Sequence, residues 1–366
     1  MEIATTAATP PKKRRRWRKI ALGIVLVLAF ASAIVWRVMF YMPGKSFSGN
    51  LPPLPAAQRS AEKDSGLSLL DELKRDVTTL AVDIGPRNLQ RPDKLAAAAS
   101  FVESQLAEAN YEVIRQTYQV DGRDCWNLIA QSKGWKQPDE IVLVGAHYDS
   151  YDVTPGADDN ASGTAALLAL ARRLAASRPE RSLRFVAFTN EEPPHFQRAT
   201  MGSLVYARSC RQRNDNLVCV LSLETMGYYS DAQDSQEYPP PLNLIYPSQG
   251  NFIGVIGNVA SRPMVHQVVA SLRKHVELPS EGGAVPGVIE GVGWSDHWSF
   301  WQEGYQAVMI TDTALFRNPH YHQPTDTPDT LNYDHLARVV LGLESVLRDI
   351  AGISNDELPP PVEQRQ

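Results

Sequence analysis

The stretch "EIVLVGAH", residues 140–147, decides the fold: one charge at its start, then six apolar residues in unbroken succession before the first imidazole. A strand with one wet face alternates apolar and polar residues, whereas a strand covered on both faces does not. Three further runs share this texture, "SLRFVAFTN" at 182–190, "LVCVLSLE" at 217–224 and "YQAVMITD" at 305–312. Helical stretches separate or follow them: "SGTAALLALARRLAAS", "MGSLVYARSC", "RPMVHQVVASLRKHV" and "YDHLARVVLGLESVLRDIAG". The alternation predicts a three-layer α/β/α domain around a mixed, largely parallel sheet. Upstream, "LSLLDELKRDVTTLAVDI" and "PDKLAAAASFVESQLAEAN" have helical periodicity, while "YEVIRQTYQV" and "CWNLIAQS" alternate as an exposed antiparallel pair does.

Ligands of such sheets gather at the carboxyl ends of the strands. Past the first run stand His147 and Asp149, past the second Glu191 and Glu192, and the third ends in Glu224. Between them "TPGADDNASG" carries Asp158, Asp159 and Asn160, and near the end "NPHYHQPTDT" carries His320 and His322. Singly, each is ordinary: a lone Asp or His at a strand end is a cap or turn former, and a Glu-Glu pair before two prolines reads as a solvated turn. Together they map to one sheet edge, where the acids would repel each other unless a cation sat among them. Imidazoles mixed with carboxylates suit zinc. The set exceeds one tetrahedral site but fits two ions about 3.5–4 Å apart that share a carboxylate and a water. Glu192 is then free to bind metal while Glu191, facing the shared water, takes its proton.

In this order, "GAHYDS", "PGADDNASG", "NEE", "LETMGY", "SDHWSF" and "HYHQPTDTPDTL" resemble the motif set of the di-zinc aminopeptidases, from about residue 70 to 350. The secreted bacterial leucyl aminopeptidases and the aminopeptidase Y-like zinc metallopeptidases are the clearest comparison; glutaminyl cyclases and the transferrin receptor ectodomain are more distant relatives. The resemblance implies two zinc ions, one held by His147 and Glu224, the other by Glu192 and His322, with Asp159 bridging them. It implies Glu191 as general base and acid, and Asp149 as the carboxylate that orients His147 through its other ring nitrogen. His320 competes with His322 on spacing alone, but His322 stands directly before the family's "xxTDT" pattern. Glu224 departs from the family, whose secreted branch typically has aspartate there.

The implied reaction is removal of the N-terminal residue of a peptide with a free amine, a zinc-bridging water attacking the carbonyl and Glu191 carrying the proton. Tyr228, Tyr229, Asp296 and the segments 231–250 and 276–294 are candidates for substrate contact, and the glycine-rich "EGGAVPGVIEGVGW" reads as a mobile loop. Two other readings compete: a single-zinc glutaminyl cyclase, and a receptor-like ectodomain without catalysis. Retention of His147 and Glu224 speaks for two ions, and the intact Glu191 speaks for an enzyme.

Residues 1–19 carry a net charge of +6, leaving −11 on the rest of a chain whose formal charge is −5. That basic cluster runs into "IALGIVLVLAFASAIVW", residues 20–36, seventeen residues without charge or proline. At 1.5 Å per residue they span about 25 Å, extended towards the roughly 30 Å hydrocarbon core by "RVMFYM". The positive-inside rule keeps 1–19 cytoplasmic, makes 20–42 a signal anchor and puts the remainder outside, in periplasm or extracellular space. A cleaved signal peptide with "AFA" at 29–31 is the rival reading. The position of the basic cluster excludes nucleic acid as its partner. A Pro/Gly/Ser-rich stalk is expected over 43–66, the catalytic domain over 67–353 and a disordered tail over 354–366. Cys125, Cys210 and Cys219 read as core residues, with Cys210–Cys219 a possible disulfide.

Overall fold

The computed structural model describes residues 12–54 and 67–354, so most of the expected tail and residues 55–66 of the expected stalk lie outside the described residues. The chain divides into two units, residues 1–41 and 42–366. The first contains helix α1 (Lys12–Met39), whose segment Lys19–Arg37 is long and apolar enough to cross a membrane.

The second unit holds one eight-stranded sheet in the order β1-β2-β4-β3-β5-β8-β6-β7. Its strands are β1 (Val113–Val120), β2 (Arg123–Ser132), β3 (Gln137–His147), β4 (Arg181–Phe188), β5 (Asn216–Glu224), β6 (Ile253–Gly257), β7 (Ser280–Ala284) and β8 (Val308–Thr311). The central strands β4, β3, β5 and β8 run parallel, so their carboxyl ends share one edge; β1 and β2 join antiparallel on one side, and β6 meets β8 antiparallel on the other. This is the mixed, largely parallel sheet expected from the apolar runs.

Burial explains why those runs do not alternate. On β3, Val142, Val144 and Ala146 enter the larger core, while Ile141 and Leu143 enter a second core on the other face. Helices α2 (Leu69–Thr78), α3 (Pro92–Glu108), α4 (Gly163–Leu174), α6 (Arg262–His275) and α8 (Tyr333–Ala351) supply the larger core. The smaller is closed by Tyr206, Ala207 and Cys210 of α5 (Gly202–Arg213) and Phe300 of α7 (His297–Gln302). Cys219 belongs to the first core and Cys210 to the second, so these thiols face opposite sides of the sheet; all three cysteines are free and buried, as core residues, and the Cys210–Cys219 pairing that the sequence left open does not form.

Two further expectations change. Glu281–Ala284, read as part of a mobile loop, pair with β6 as most of strand β7. Glycine has little strand propensity, but here its lack of a side chain serves packing: a Cβ on Gly282 would stand 2.8 Å from Met42 Sδ and from Val269. The described part of the expected stalk is docked on the domain rather than free. Arg273 of α6 donates to the carbonyls of Pro43 and Gly44, Ser280 N donates to Ser46 Oγ, Arg338 of α8 bonds Pro52 O, and Leu54 is buried.

Candidate metal centre and active site

The sheet register brings the strand-end residues together. His147 is the last residue of β3, paired with Phe188, and Glu224 is the last of β5, paired with Thr311. His147 Nε2 lies 3.2 Å from Glu224 Oε2 and 3.4 Å from Asp159 Oδ1. On the other side of Asp159, His322 Nε2 lies 3.0 Å from Asp159 Oδ2 and 3.3 Å from Glu192 Oε2. Two three-residue groups of close-set donor atoms result, His147–Asp159–Glu224 and Asp159–Glu192–His322, with Asp159 common to both. Glu191 belongs to neither group; its Oε2 stands 3.9 Å from His147 Nε2. Both glutamates of the pair are buried, not solvated as an arbitrary Glu-Glu turn would be.

Loop residues hold these groups in place. The Asp149 carboxylate accepts the backbone N–H groups of Glu191 and Glu192, each at 3.2 Å, and lies 3.5 Å from His147 Nδ1. One carboxylate thus sets the glutamate pair and backs the first imidazole. Asp326 does the same for the bridge, accepting from the N–H of Asp158 at 2.8 Å and of Asp159 at 3.1 Å. Asn160 accepts from Gly163 N and Thr225 N and donates to Leu223 O, tying this loop to the end of β5. Gly156 opens the loop at φ 61°, where a Cβ would fall 2.3 Å from Asp159 O, so only glycine fits. Ser295 Oγ donates to Glu224 Oε2 at 2.7 Å.

Of the proposed substrate contacts, Tyr228 sets its ring edge-on to His320, and Asp296 is fully buried. Neither lines the cavity described below. Burial pushes Asp296 up to about 7, with His147 and Ser203 opposing. His297 bonds Val292 O and packs against Trp301, a supporting role. His320 bonds Thr325 Oγ1 and joins neither donor group.

The electrostatics are those of crowded acids. Burial pushes Glu192 up to about 8, Asp159 adding to the rise and His322 opposing it. Burial also lifts Glu191 well above the usual carboxylate range, His147 opposing and Glu224, Glu192 and Asp296 adding. Burial disfavours charge on His322, yet Asp159 and Glu192 outweigh it and raise its pKa to about 10. His147 is likewise held well above its ordinary value by Glu224 and Glu191 against burial, while the two imidazoles draw Asp159 below the usual range against the same burial. Protons here do what a divalent cation does, and such a cation would displace them. His147 Nδ1 and Nε2, Asp159 Oδ1, Glu192 Oε1 and His322 Nε2 are buried without a hydrogen-bond partner, and nitrogen and oxygen donors in these proportions fit zinc.

A cavity of about 110 Å³ opens beside Glu224 and Tyr321. Its floor is one face of β6 and β8, where Ile256 lies opposite Met309 and Gly254 opposite Thr311; Tyr238, Tyr246, Phe252, Trp294 and Phe316 stand among its walls. The segments 231–250 and 276–294 both contribute to it.

Spacing gave no means of finding Asp326, Ser295 or Tyr321. Asp326 meets Asp158 across 168 positions of chain, and its one signal was membership of the quoted "TDT".

The curated Escherichia coli protein YfbL, described as uncharacterized, is 35% identical over 339 residues, covering 90% of this chain and 98% of its own. Among solved structures, BSAP, a zinc aminopeptidase from Bacillus subtilis, matches with a TM-score of 0.61 at 15% identity, over 79% of this chain and 96% of that one. A glutaminyl cyclase from Fimbriiglobus ruber matches with a TM-score of 0.57 at 18% identity, over 84% and 99%. At such identities the structural likeness speaks for the fold alone, and one fold carries both chemistries. The family is decided by sequence: residues 127–346 match peptidase family M28, more than half of the chain, and the chain belongs to that family.

Proposed function

We propose that this chain is a two-zinc aminopeptidase, held to a membrane by α1 with its basic end in the cytoplasm and its catalytic domain outside. One observation carries the reading: two donor groups share Asp159, and an acid that joins neither, Glu191, stands beside them. His147 and Glu224 would hold one ion, Glu192 and His322 the other. Zinc supplies Lewis acidity, which lowers the cost of deprotonating water and of building negative charge on a carbonyl oxygen.

The rest is done by the chain. Glu191, buried beside the two donor groups and bound into neither, takes a proton from the attacking water and passes it to the leaving amine. Tyr321 lines the cavity beside Glu224, and its phenol, protonated at neutral pH, can donate to the substrate carbonyl. The surrounding carboxylates attract the substrate's ammonium group and so select its first residue. The cavity beside Glu224 takes that residue's side chain, and its aromatic and aliphatic walls favour a large apolar one.

Two zinc positions also separate this reading from a glutaminyl cyclase, which needs one. The test uses the full chain in detergent: elemental analysis together with a panel of aminoacyl-anilides and N-terminal glutaminyl peptides. The aminopeptidase reading expects two zincs per chain, fastest release from large apolar first residues and no release once the amine is acetylated. One zinc with cyclised glutaminyl product would replace it with the cyclase, and binding without turnover of either class would replace it with a receptor.

A further inference from the structure

The two candidate imidazole ligands are held in different ways. His147 is fully buried and has the Asp149 carboxylate 3.5 Å from its second ring nitrogen. Metal-binding histidines are ordinarily oriented like this, by a carboxylate or carbonyl at the other nitrogen. The His322 side chain is 25% exposed, against 10% or less for His147, Asp159, Glu192 and Glu224, and its backbone sits at φ 56°, an uncommon conformation for a residue with a side chain. Among the described residues nothing hydrogen-bonds its Nδ1. Its ring is instead packed on both faces. Tyr151 stacks on it at 4.0 Å between centroids with 4° between planes, and Tyr321 stacks at 4.0 Å and 15°.

Tyr151 comes from a loop with little freedom. Asn88 Nδ2 bonds the carbonyls on either side of it, Ser150 O at 2.9 Å and Asp152 O at 2.7 Å, and Arg91 also donates to Asp152 O. Ser150 and Arg87 exchange two bonds, Ser150 N to Arg87 O and Arg87 N to Ser150 Oγ. Thr154 closes the turn on the Tyr151 carbonyl. The ring is therefore presented from a pinned backbone against the most exposed of the five candidate ligands.

We infer that Tyr151 is a positioning residue: its ring, with that of Tyr321, does for His322 what the neighbouring Asp149 carboxylate does for His147, and sets the affinity of the second metal position. The inference rests on the two-zinc reading above. It assigns the task to the aromatic face and none to the phenol hydroxyl.

The test compares the full chain with Tyr151→Phe, Tyr151→Leu and Tyr151→Ala, each loaded with zinc and titrated with a chromophoric chelator, with thermal unfolding followed alongside. The parent and Tyr151→Phe should release two equivalents at closely similar chelator strengths. In Tyr151→Leu and Tyr151→Ala one equivalent should leave at zinc affinity lower by about 10- to 100-fold, the other staying as in the parent. kcat should fall in those two and recover in the phenylalanine variant. Should Tyr151→Ala not fold, Tyr151→Leu fills the same space without a ring and decides alone. Parent-like retention of both equivalents in the ring-less variants overturns the clamp and leaves the two-zinc reading intact. A parent that binds one equivalent overturns both.

Discussion

The two halves of the site are built from different material. His147 and Glu224 are the last residues of neighbouring parallel strands, so sheet register places them and their exposure is low. Glu192 and His322 stand on loops, where position has to be built: Glu192 N donates to the Asp149 carboxylate, and the His322 ring is held by stacked rings. A strand-end ligand inherits the rigidity of the core. A loop ligand depends on each of its local supports, and His322, the most exposed of the five candidate ligands, is the one held between stacked rings.

The largest effect should come from the group that belongs to neither half. Glu191→Gln removes the proton carrier and no ligand, so turnover should fall by about 10² to 10⁴ while two zincs remain by elemental analysis. Undiminished hydrolysis would take Glu191 out of the mechanism. Asp149→Ala strikes both halves at once, since that carboxylate backs His147 and holds the N–H groups of Glu191 and Glu192. Zinc affinity should drop by about 10- to 100-fold for both equivalents, and loss confined to one would show that the halves are supported separately.

Asp326→Ala leaves the N–H groups of Asp158 and Asp159 buried without acceptors, at a cost of about 1–3 kcal/mol each before relaxation. Denaturant unfolding of the zinc-free chain should show that loss, and an unchanged midpoint would mean the bridge loop is set by Asn160 and Gly156 instead.

A pH trend in the zinc-free protein sharpens the contrast further. In the zinc-free protein His322 titrates at about 10 and Glu192 at about 8, both above the values of an unfolded chain. The folded state then binds more protons than the unfolded one. The His322 contribution is fully present below its unfolded pKa near 6.5 and is lost as pH rises through 10; the Glu192 contribution is lost between about 4.5 and 8. Thermal stability of the zinc-free chain should therefore decline from pH 5 to pH 10, with a shallower slope once zinc has displaced those protons. A stability that rose over that range would contradict the folded-state pKa values.

Much of the architecture is legible in the sequence alone. Four apolar runs without alternation required a sheet covered on both faces, and β3 does send alternate residues into two cores. The end strands were harder. "IGVIG" and "SEGGA" are short and glycine-rich, and they became β6 and β7 through pairing with residues far along the chain. The stretch 43–54 has the composition of a spacer, yet Arg273 and Arg338 hold it to α6 and α8. A Pro-rich segment without a periodic apolar face gives no sign that side chains elsewhere will bind its carbonyls.

Within the site the same division holds. Sequence by itself determined which donor types stand at the strand ends, in what order, and that so many acids on one edge call for a cation. It could do so because strand length and apolar pattern are local properties, and a parallel sheet brings its carboxyl ends to one side whatever the loops do. Tertiary structure alone decided that Asp149 grips the glutamate pair, that Asp326 caps the bridge and that two tyrosines enclose His322. Those contacts join residues separated by up to 171 positions, and no spacing rule records them, because they exist only once the cores on both faces of the sheet have closed and fixed where each loop must end.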